Sequence, residues 1–311
     1  MMKALICGSM AFDTIMVFHD RFKEHILPDK VHMLNVSFLV PEMRREFGGC
    51  AGNIAYNLKL LGEDPLPMAT VGVDFDPYEK WLHQQNIDQT YIRRIDGAYT
   101  AQAFITTDLD DNQITAFHPG AMASAHENRV PGDAGLTLGM VSPDGRDGMI
   151  QHARQFQELG IPFVFDPGQG TPMFNGDDLE NFIEQATWVT VNDYEAQLIQ
   201  ERTALAPHEI AERVEAYIIT LGAQGSHIYT REKRHEIPAA PVETVADPTG
   251  CGDAYRAGLL YGLGHGMDWE TTGRVASLLG AIKITRHGTQ NHHFTKDQFE
   301  EMFKDAFGYA L

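Results

Sequence analysis

The stretch Asp247-Pro248-Thr249-Gly250-Cys251-Gly252-Asp253 runs straight into Ala254-Tyr255-Arg256-Ala257-Gly258-Leu259-Leu260-Tyr261. Glycines flank Cys251 where a turn enters an apolar helix. Small residues leave the backbone N–H groups of Gly250 to Asp253 able to point at an anion, and the helix dipole adds about 0.3–1 kcal/mol. Asp253 stands at the same place, although a carboxylate repels a phosphate. The two features are coherent if Asp253 takes a proton from an alcohol while the N–H groups hold a phosphoryl group in transfer. By spacing alone the stretch also reads as an Asp-capped helix behind a glycine turn.

Around it, short β-branched or aromatic runs alternate with helix-like segments. Strands are predicted at Lys3 to Cys7, Pro67 to Val73, Pro162 to Phe165, Trp188 to Val191 and Tyr217 to Thr220. Helices are predicted at Asn53 to Leu61, with Ile54, Leu58 and Leu61 on one face, at Leu179 to Ala186 and at Ala254 to Leu263. This alternation implies an α/β fold with a largely parallel sheet and helices on both sides. Polar residues and turns sit where the strands end: Ser9 and Asp13, Asp74, Asp166, Asn192, and Gly222. Each alone reads as a cap or turn; together they mark the carboxyl ends of parallel strands, where ligands bind.

Two stretches break the alternation. Phe18 to Phe47 holds the apolar run Val36-Ser37-Phe38-Leu39-Val40 between polar segments. Thr100 to Phe117 reads as a hairpin, Ala103 to Thr107 and Gln113 to Phe117 about a turn at Asp108 to Asn112. A small antiparallel layer of this kind could cover a ligand or complete a dimer interface.

Composition narrows the function. The chain has 311 residues, with 24 Lys and Arg against 43 Asp and Glu, a formal charge of −19. That balance argues against general nucleic-acid coating, which needs clustered cations, and leaves a nucleotide ligand open. No apolar run approaches a membrane span of roughly 18 residues, and Met1 to Gly8 is too short for a signal-peptide core. Cys7, Cys50 and Cys251 are odd in number, far apart and free of CxxC spacing, so neither a disulfide framework nor a zinc site is expected. A reducing cytoplasm suits them. His287, His292 and His293 lack tetrahedral metal spacing and are expected in a surface or nucleotide-edge loop. Trp81 and Trp188 are expected to be core or helix-packing residues, and Trp269 to start a helix.

The Asp247 to Asp253 heptad resembles the second signature of the PfkB-type, ribokinase-like carbohydrate and nucleoside kinases. Gly48-Gly49-Cys50-Ala51-Gly52-Asn53-Ile54-Ala55, followed by Leu61-Gly62, resembles the first. Asn192-Asp193-Tyr194-Glu195 is similar to the family's N-x-x-E element, Thr220-Leu221-Gly222-Ala223-Gln224-Gly225 to its nucleotide-loop strand, and Gly288-Thr289-Gln290 to its late loop. Gly8 to Asp13, Arg21-Phe22-Lys23-Glu24, Leu27-Pro28, His32, Ser37 to Val40 and Pro119-Gly120-Ala121-Met122 look like the bacterial adenosine kinases within it. The resemblance implies a three-layer α/β/α sandwich, one kinase domain over residues 1–311, with a small β lid from about residues 14–46 and 98–119. It also implies transfer of the ATP γ-phosphate to the 5′-hydroxyl of adenosine, giving AMP and ADP. Another nucleoside, ribose or fructose as acceptor, or a non-catalytic nucleotide-binding regulator, are the alternatives.

Carried over residue by residue, Asp253 is the catalytic base, and Gly250, Cys251 and Gly252 form an anion hole through their main chain, with no thiol chemistry at Cys251. Ser9, Asp13, Gly49 and Asn53 would hold the ribose. Phe117 matches a position that stacks on the base, and Gln169 is a second base-side contact. Gly170 stands where a second glutamine is expected, and Ala103 where an aromatic is. Asn192, Thr220, Gly222 and Gly225 would line ATP, with Glu195 acting on its Mg2+ through water. Asp247 and Thr249 match positions that bind a monovalent cation, K+, beside the anion hole in related sugar kinases. The resemblance leaves Arg256 without an assigned role. The expected partners are a small-molecule substrate and a second copy of the chain in a homodimer, with no nucleic acid and no membrane.

Overall fold

A computed structural model of the chain describes residues 2–26, 36–110 and 112–311. Leu27, Pro28 and His32, part of the 14–46 segment, and Asp111 of the hairpin turn lie outside the described residues. Nine strands form the main sheet: β1 (Ala4–Cys7), β4 (Leu66–Val71), β5 (Tyr91–Arg94), β8 (Leu138–Val141), β9 (Phe163–Phe165), β10 (Trp188–Asn192), β11 (Ala216–Thr220), β12 (Ser226–Tyr229) and β13 (Arg234–Ile237), in the order β13-β12-β11-β10-β9-β8-β1-β4-β5. Neighbours from β5 to β11 pair parallel, and β12 and β13 add an antiparallel edge.

Strand periodicity sorts the core into two layers. Ala4 and Ile6 of β1 join Ala216 and Ile218 of β11 in one cluster; Leu5 and Cys7 join Tyr217 and Ile219 in the other. The first cluster packs under α2 (Cys50–Leu60), α3 (Asp76–Gln84), α8 (Cys251–Gly264), α9 (Trp269–Ile284) and α10 (Lys296–Phe307). The second packs under α4 (Arg146–Leu159), α5 (Gly176–Gln185), α6 (Asp193–Thr203) and the short α7 (Pro207–Ala211). This is the three-layer α/β/α sandwich expected from the sequence, and every strand and helix predicted there is present within a few residues. Gly258 brings α8 and α9 together, since a Cβ there would lie 2.5 Å from Ala276 Cα. Among the described residues no helix is long and apolar enough to cross a membrane.

The second sheet has four strands, β2 (Ala11–Val17), β3 (Glu42–Gly48), β6 (Ala101–Thr107) and β7 (Gln113–His118), ordered β3-β2-β6-β7. The single turn α1 (Phe22–His25) follows β2. β6 and β7 are the predicted hairpin, but β2 and β3 carry no clear strand signal. β3 is the charged run Glu42-Met43-Arg44-Arg45-Glu46-Phe47-Gly48, whereas the apolar Val36 to Val40 takes no regular structure. An edge strand is held by main-chain pairing and tolerates charge, so apolarity is a poor guide to it. Only Gly8, Ser9 and Met10 separate β1 from β2, which ties the two sheets together at the carboxyl end of β1. Phe12, Phe47 and Tyr78 pack ring on ring across that junction.

Candidate active site

The N-terminus of α8 follows from Gly250, whose φ of 79° is left-handed and whose Cβ position would lie 3.0 Å from Thr289 Cγ2. A glycine N-cap offers no side-chain acceptor, so the first N–H groups of the helix stay exposed to a ligand. Cys251 N–H donates to the Pro248 carbonyl at 3.2 Å, while those of Gly252 and Asp253 have no partner among the described residues. The Cys251 thiol is half-buried and pushed up to about 11, chiefly by burial, which leaves it a protonated thiol.

Asp253 is half-buried beside these groups. Asn53 Nδ2 donates to its Oδ2 at 2.7 Å, from the second turn of α2. Burial pushes its carboxyl up to about 6; the Asn53 hydrogen bond opposes that rise, Asp166 adds to it and Arg256 opposes it. Asn53 cannot turn over, because its Oδ1 accepts from Gln290 Nε2 at 3.0 Å. Gln290 is fixed in turn by Tyr78 Oη at 2.6 Å and by Trp81 Nε1, which donates to its Oε1 at 2.8 Å. Tyr78 Oη donates to Gly48 O at 2.9 Å. In the sequence the Gly288-Thr289-Gln290 motif is the one signal for Gln290, and Tyr78 carries none.

Arg256, one turn past Asp253, points into a buried ionic cluster. Its Nε and Nη2 donate to the two oxygens of Asp166 at 2.9 and 3.1 Å, and Nη2 lies 3.8 Å from Glu195. Glu195 and Asn192 form a reciprocal cap on α6: Asn192 N and Nδ2 donate to the carboxylate at 2.8 and 3.0 Å, and Glu195 N donates to Asn192 Oδ1 at 2.8 Å. Burial, reinforced by Asp166, raises the Glu195 carboxyl. Asn192 and Thr220 are register neighbours at the carboxyl ends of β10 and β11. Gly222 and Gly225 shape the turn beyond, with φ of 56° and 88°. A Cβ at Gly225 would fall 2.0 Å from the Ile237 carbonyl, so that glycine is fixed by packing.

On the other side, Ser9 Oγ accepts from Cys50 N–H at 3.2 Å and so caps α2. Gly49 has φ of 87°, and a Cβ there would lie 2.6 Å from Met10 Cα and Ser9 O. Asp13 lies in a register row across the second sheet that runs Glu46, Asp13, Ala103, Phe117. Directly paired residues project from the same face, so Phe117 shares Asp13's face. Phe104 pairs with Thr14 and Ala116 and occupies the opposite face, so it does not replace the ring absent at Ala103. Asp13 is pushed up to about 6, first by burial, then by Glu46 and Asp247. Phe117 and Gln169 are exposed, and no hydrogen bond among the described residues joins either to the Asp253 group. Gly170 is buried under Met173 Cε, 3.0 Å from its Cβ position, so a glutamine there would have to displace that side chain.

The cation site expected at Asp247 and Thr249 is built differently. Asp247 Oδ1 accepts from Thr249 N–H and Oδ2 from Gly288 N–H, both at 2.9 Å. Lys283, fully buried at the end of α9, donates from Nζ to Asp247 O at 2.7 Å and Arg286 O at 3.3 Å, and lies 3.9 Å from Asp247 Oδ2. An ammonium already draws on the oxygens that K+ would use, and the residues do not fit a metal ion. His292 also departs from expectation: it is buried, bonds Asn57 Oδ1 from Nε2 at 2.8 Å, and is pushed down to about 4 mainly by burial. His287 and His293 are exposed, and Trp269 opens α9 behind the Asp268 cap.

The sequence matches the profile of the pfkB family carbohydrate kinases over residues 9–296. A nucleoside kinase from Burkholderia thailandensis, solved in complex with inosine, superposes with a TM-score of 0.89 at 52% identity and 99% coverage of both chains. Its complex with ADP-inosine gives 0.87 at 54% identity, covering 99% of this chain and 97% of that one. The nucleoside kinase of Methanocaldococcus jannaschii is 31% identical over 269 residues, 86% of this chain and 88% of that protein. With the family's two glycine-rich motifs meeting through the Asn53–Asp253 hydrogen bond in a ribokinase-like fold, the chain belongs to the pfkB carbohydrate-kinase family, whose members are ATP-dependent phosphotransferases acting on a hydroxyl group.

Proposed function

We propose that this chain is a nucleoside kinase that moves the γ-phosphoryl group of ATP to the 5′-hydroxyl of a purine nucleoside, giving the nucleoside monophosphate and ADP. The observation that carries this reading is the Asp253 carboxylate, held by Asn53 beside the unpartnered N–H groups that open α8. Asp253 accepts the hydroxyl proton as the oxygen attacks phosphorus, and the N–H groups of the Gly250–Asp253 turn stabilise charge on the phosphoryl oxygens. A carboxyl lifted to about 6 is ionised at neutral pH and a better base than an ordinary aspartate.

Asp13 accepts hydrogen bonds from the ribose hydroxyls. Ser9 accepts from Cys50 N–H and keeps its own proton to donate to the sugar. Gly49 keeps that corner tight, and Asn192, Thr220, Gly222 and Gly225 line the nucleotide. Magnesium carried in with ATP would neutralise phosphate charge. Glu195, buried and held by Asn192, suits contact with the ion's waters rather than direct ligation. The second sheet closes as a lid over one kinase unit, excluding water and limiting ATP hydrolysis. The edge strand β7, exposed along its length, also offers a surface for a homodimer, which light scattering tests.

Adenosine is the acceptor put forward by the resemblance. The base side favours inosine as a second. A Phe117 ring stacks on any purine, and the Gln169 amide turns either its oxygen or its NH2 to the base, serving a 6-amino or a 6-oxo group. The similarity to a kinase solved with inosine supports the same reading. ADP release with Mg-ATP across adenosine, inosine, guanosine, cytidine, ribose and fructose tests it. Purine nucleosides should exceed the free sugars by about a hundredfold in kcat/KM. A free sugar as best acceptor contradicts the nucleoside reading, and no turnover with any acceptor favours a non-catalytic regulator.

A further inference from the structure

We propose that the Lys283 ammonium is the permanent cation of the phosphate site, standing where related sugar kinases bind potassium and making this enzyme independent of monovalent cations. The inference rests on the phosphotransferase reading of the Gly250–Asp253 turn.

Three observations converge on it. Lys283 Nζ is surrounded by oxygens, two main-chain carbonyls and a carboxylate, the donor set a potassium ion takes. Lysine is almost never fully buried unless paired, and Lys283 is fully buried with its charge directed at Asp247 rather than at solvent. Its position is also specific. It lies in the last turn of α9, where carbonyl dipoles favour a cation, and it bonds the carbonyl of Asp247, the residue that begins the turn into α8. Burial pushes the Lys283 ammonium below its ordinary value, and the carboxylate of Asp247 first, then Cys251 and Asp253 at the start of that helix, oppose the shift and favour the charged form. The ammonium therefore adds to the positive field on the transferring phosphoryl group and ties the α9 end to the anion-binding turn. A potassium ion entering this place would meet a like charge and share its oxygens.

The test compares the wild-type enzyme in KCl, NaCl and choline chloride at equal ionic strength, reading both turnover and thermal midpoint. Rates that agree within about twofold, with no midpoint shift specific to KCl, are expected. Activation of about tenfold or more by KCl over choline chloride overturns the proposal. Lys283→Ala empties the place. It should lose about a hundredfold in kcat with little change in nucleoside KM. KCl, but not choline chloride, should restore part of that loss and raise the variant's midpoint. A folded variant with full kcat in choline chloride overturns the proposal, and so does a loss that potassium leaves untouched. If the variant does not fold, the wild-type comparison still decides. If no nucleoside is phosphorylated, the functional reading fails while the wild-type midpoints still judge the Lys283 assignment.

Discussion

The floor of the site and the sheet above it are built on opposite principles. At the start of α8, the Arg256 and Asp166 side chains are 6% and 4% exposed, Lys283 is fully buried, and Asn53, Gln290 and Tyr78 lock one another. In the second sheet, Phe117 is 53% exposed, every residue of β7 is exposed, and the ion pairs are surface pairs such as Arg44–Glu46. Surface pairs of that kind contribute about 0–1 kcal/mol, whereas a buried network resists displacement of any member. Such a floor suits the proposed roles, a base and an anion held in fixed relation as phosphoryl transfer requires. The exposed strand of the sheet can change its side chains at little cost in stability, which suits the acceptor-covering layer proposed above.

Substitutions on the two sides should therefore fail differently. The largest effect is expected for Asp253→Asn, which keeps the shape and removes the base; kcat should fall by about 10³- to 10⁴-fold in steady-state assays with nucleoside KM little changed. Near-normal turnover would remove Asp253 from the mechanism. Next, Arg256→Met leaves Asp166 buried without its partner and should cost about 3–5 kcal/mol in denaturant unfolding; a loss below about 1 kcal/mol would mean that the cluster relaxes. Smaller again, Phe117→Ala should raise nucleoside KM in proportion to about 1–3 kcal/mol of stacking while sparing kcat, and an equal loss in kcat would assign Phe117 to the floor instead. The mildest test is pH. Asp253 and Asp13 both titrate near 6, above the ordinary aspartate value, so they lose their charge as pH falls through that point. The kcat/KM of the free enzyme should decline below about pH 6. A profile flat to pH 5 would contradict both assignments.

The same raised values carry a stability consequence of opposite sign. A carboxyl whose folded pKa lies above its unfolded one favours the folded state when protonated, and that contribution is lost as pH rises through the folded value. Asp144, buried and pushed up to about 8 by burial, belongs with Asp253 and Asp13 in this respect. Asp253 and Asp13 lose that contribution by about pH 6, whereas Asp144 carries it on to about pH 8, so through Asp144 the ligand-free enzyme should melt higher at pH 6 than at pH 8 in a calorimetric scan.

The floor was also the more legible side. β-branched runs mark the strands of a parallel sheet because both faces are buried, and the Gly-flanked start of α8 exposes its chemistry in seven consecutive residues. What escaped was held by distant partners. Gln290 reaches Asn53 across 237 positions, and Lys283 reaches Asp247 across 36, so neither contact leaves a local pattern. His292 looked like a loop histidine because nothing near it in sequence foretells Asn57 and Tyr56 as neighbours. β2 and β3 escaped for another reason: their pairing is made by main-chain groups that any sequence supplies.

Transfer to the 5′-hydroxyl is tested most directly by a single-turnover chemical quench with γ-labelled ATP and adenosine or inosine, with the 5′-deoxy nucleoside as control. One labelled nucleoside monophosphate is expected for each ADP formed, and none from the 5′-deoxy compound. ADP without labelled nucleoside, or label transferred to the 5′-deoxy control, would contradict it.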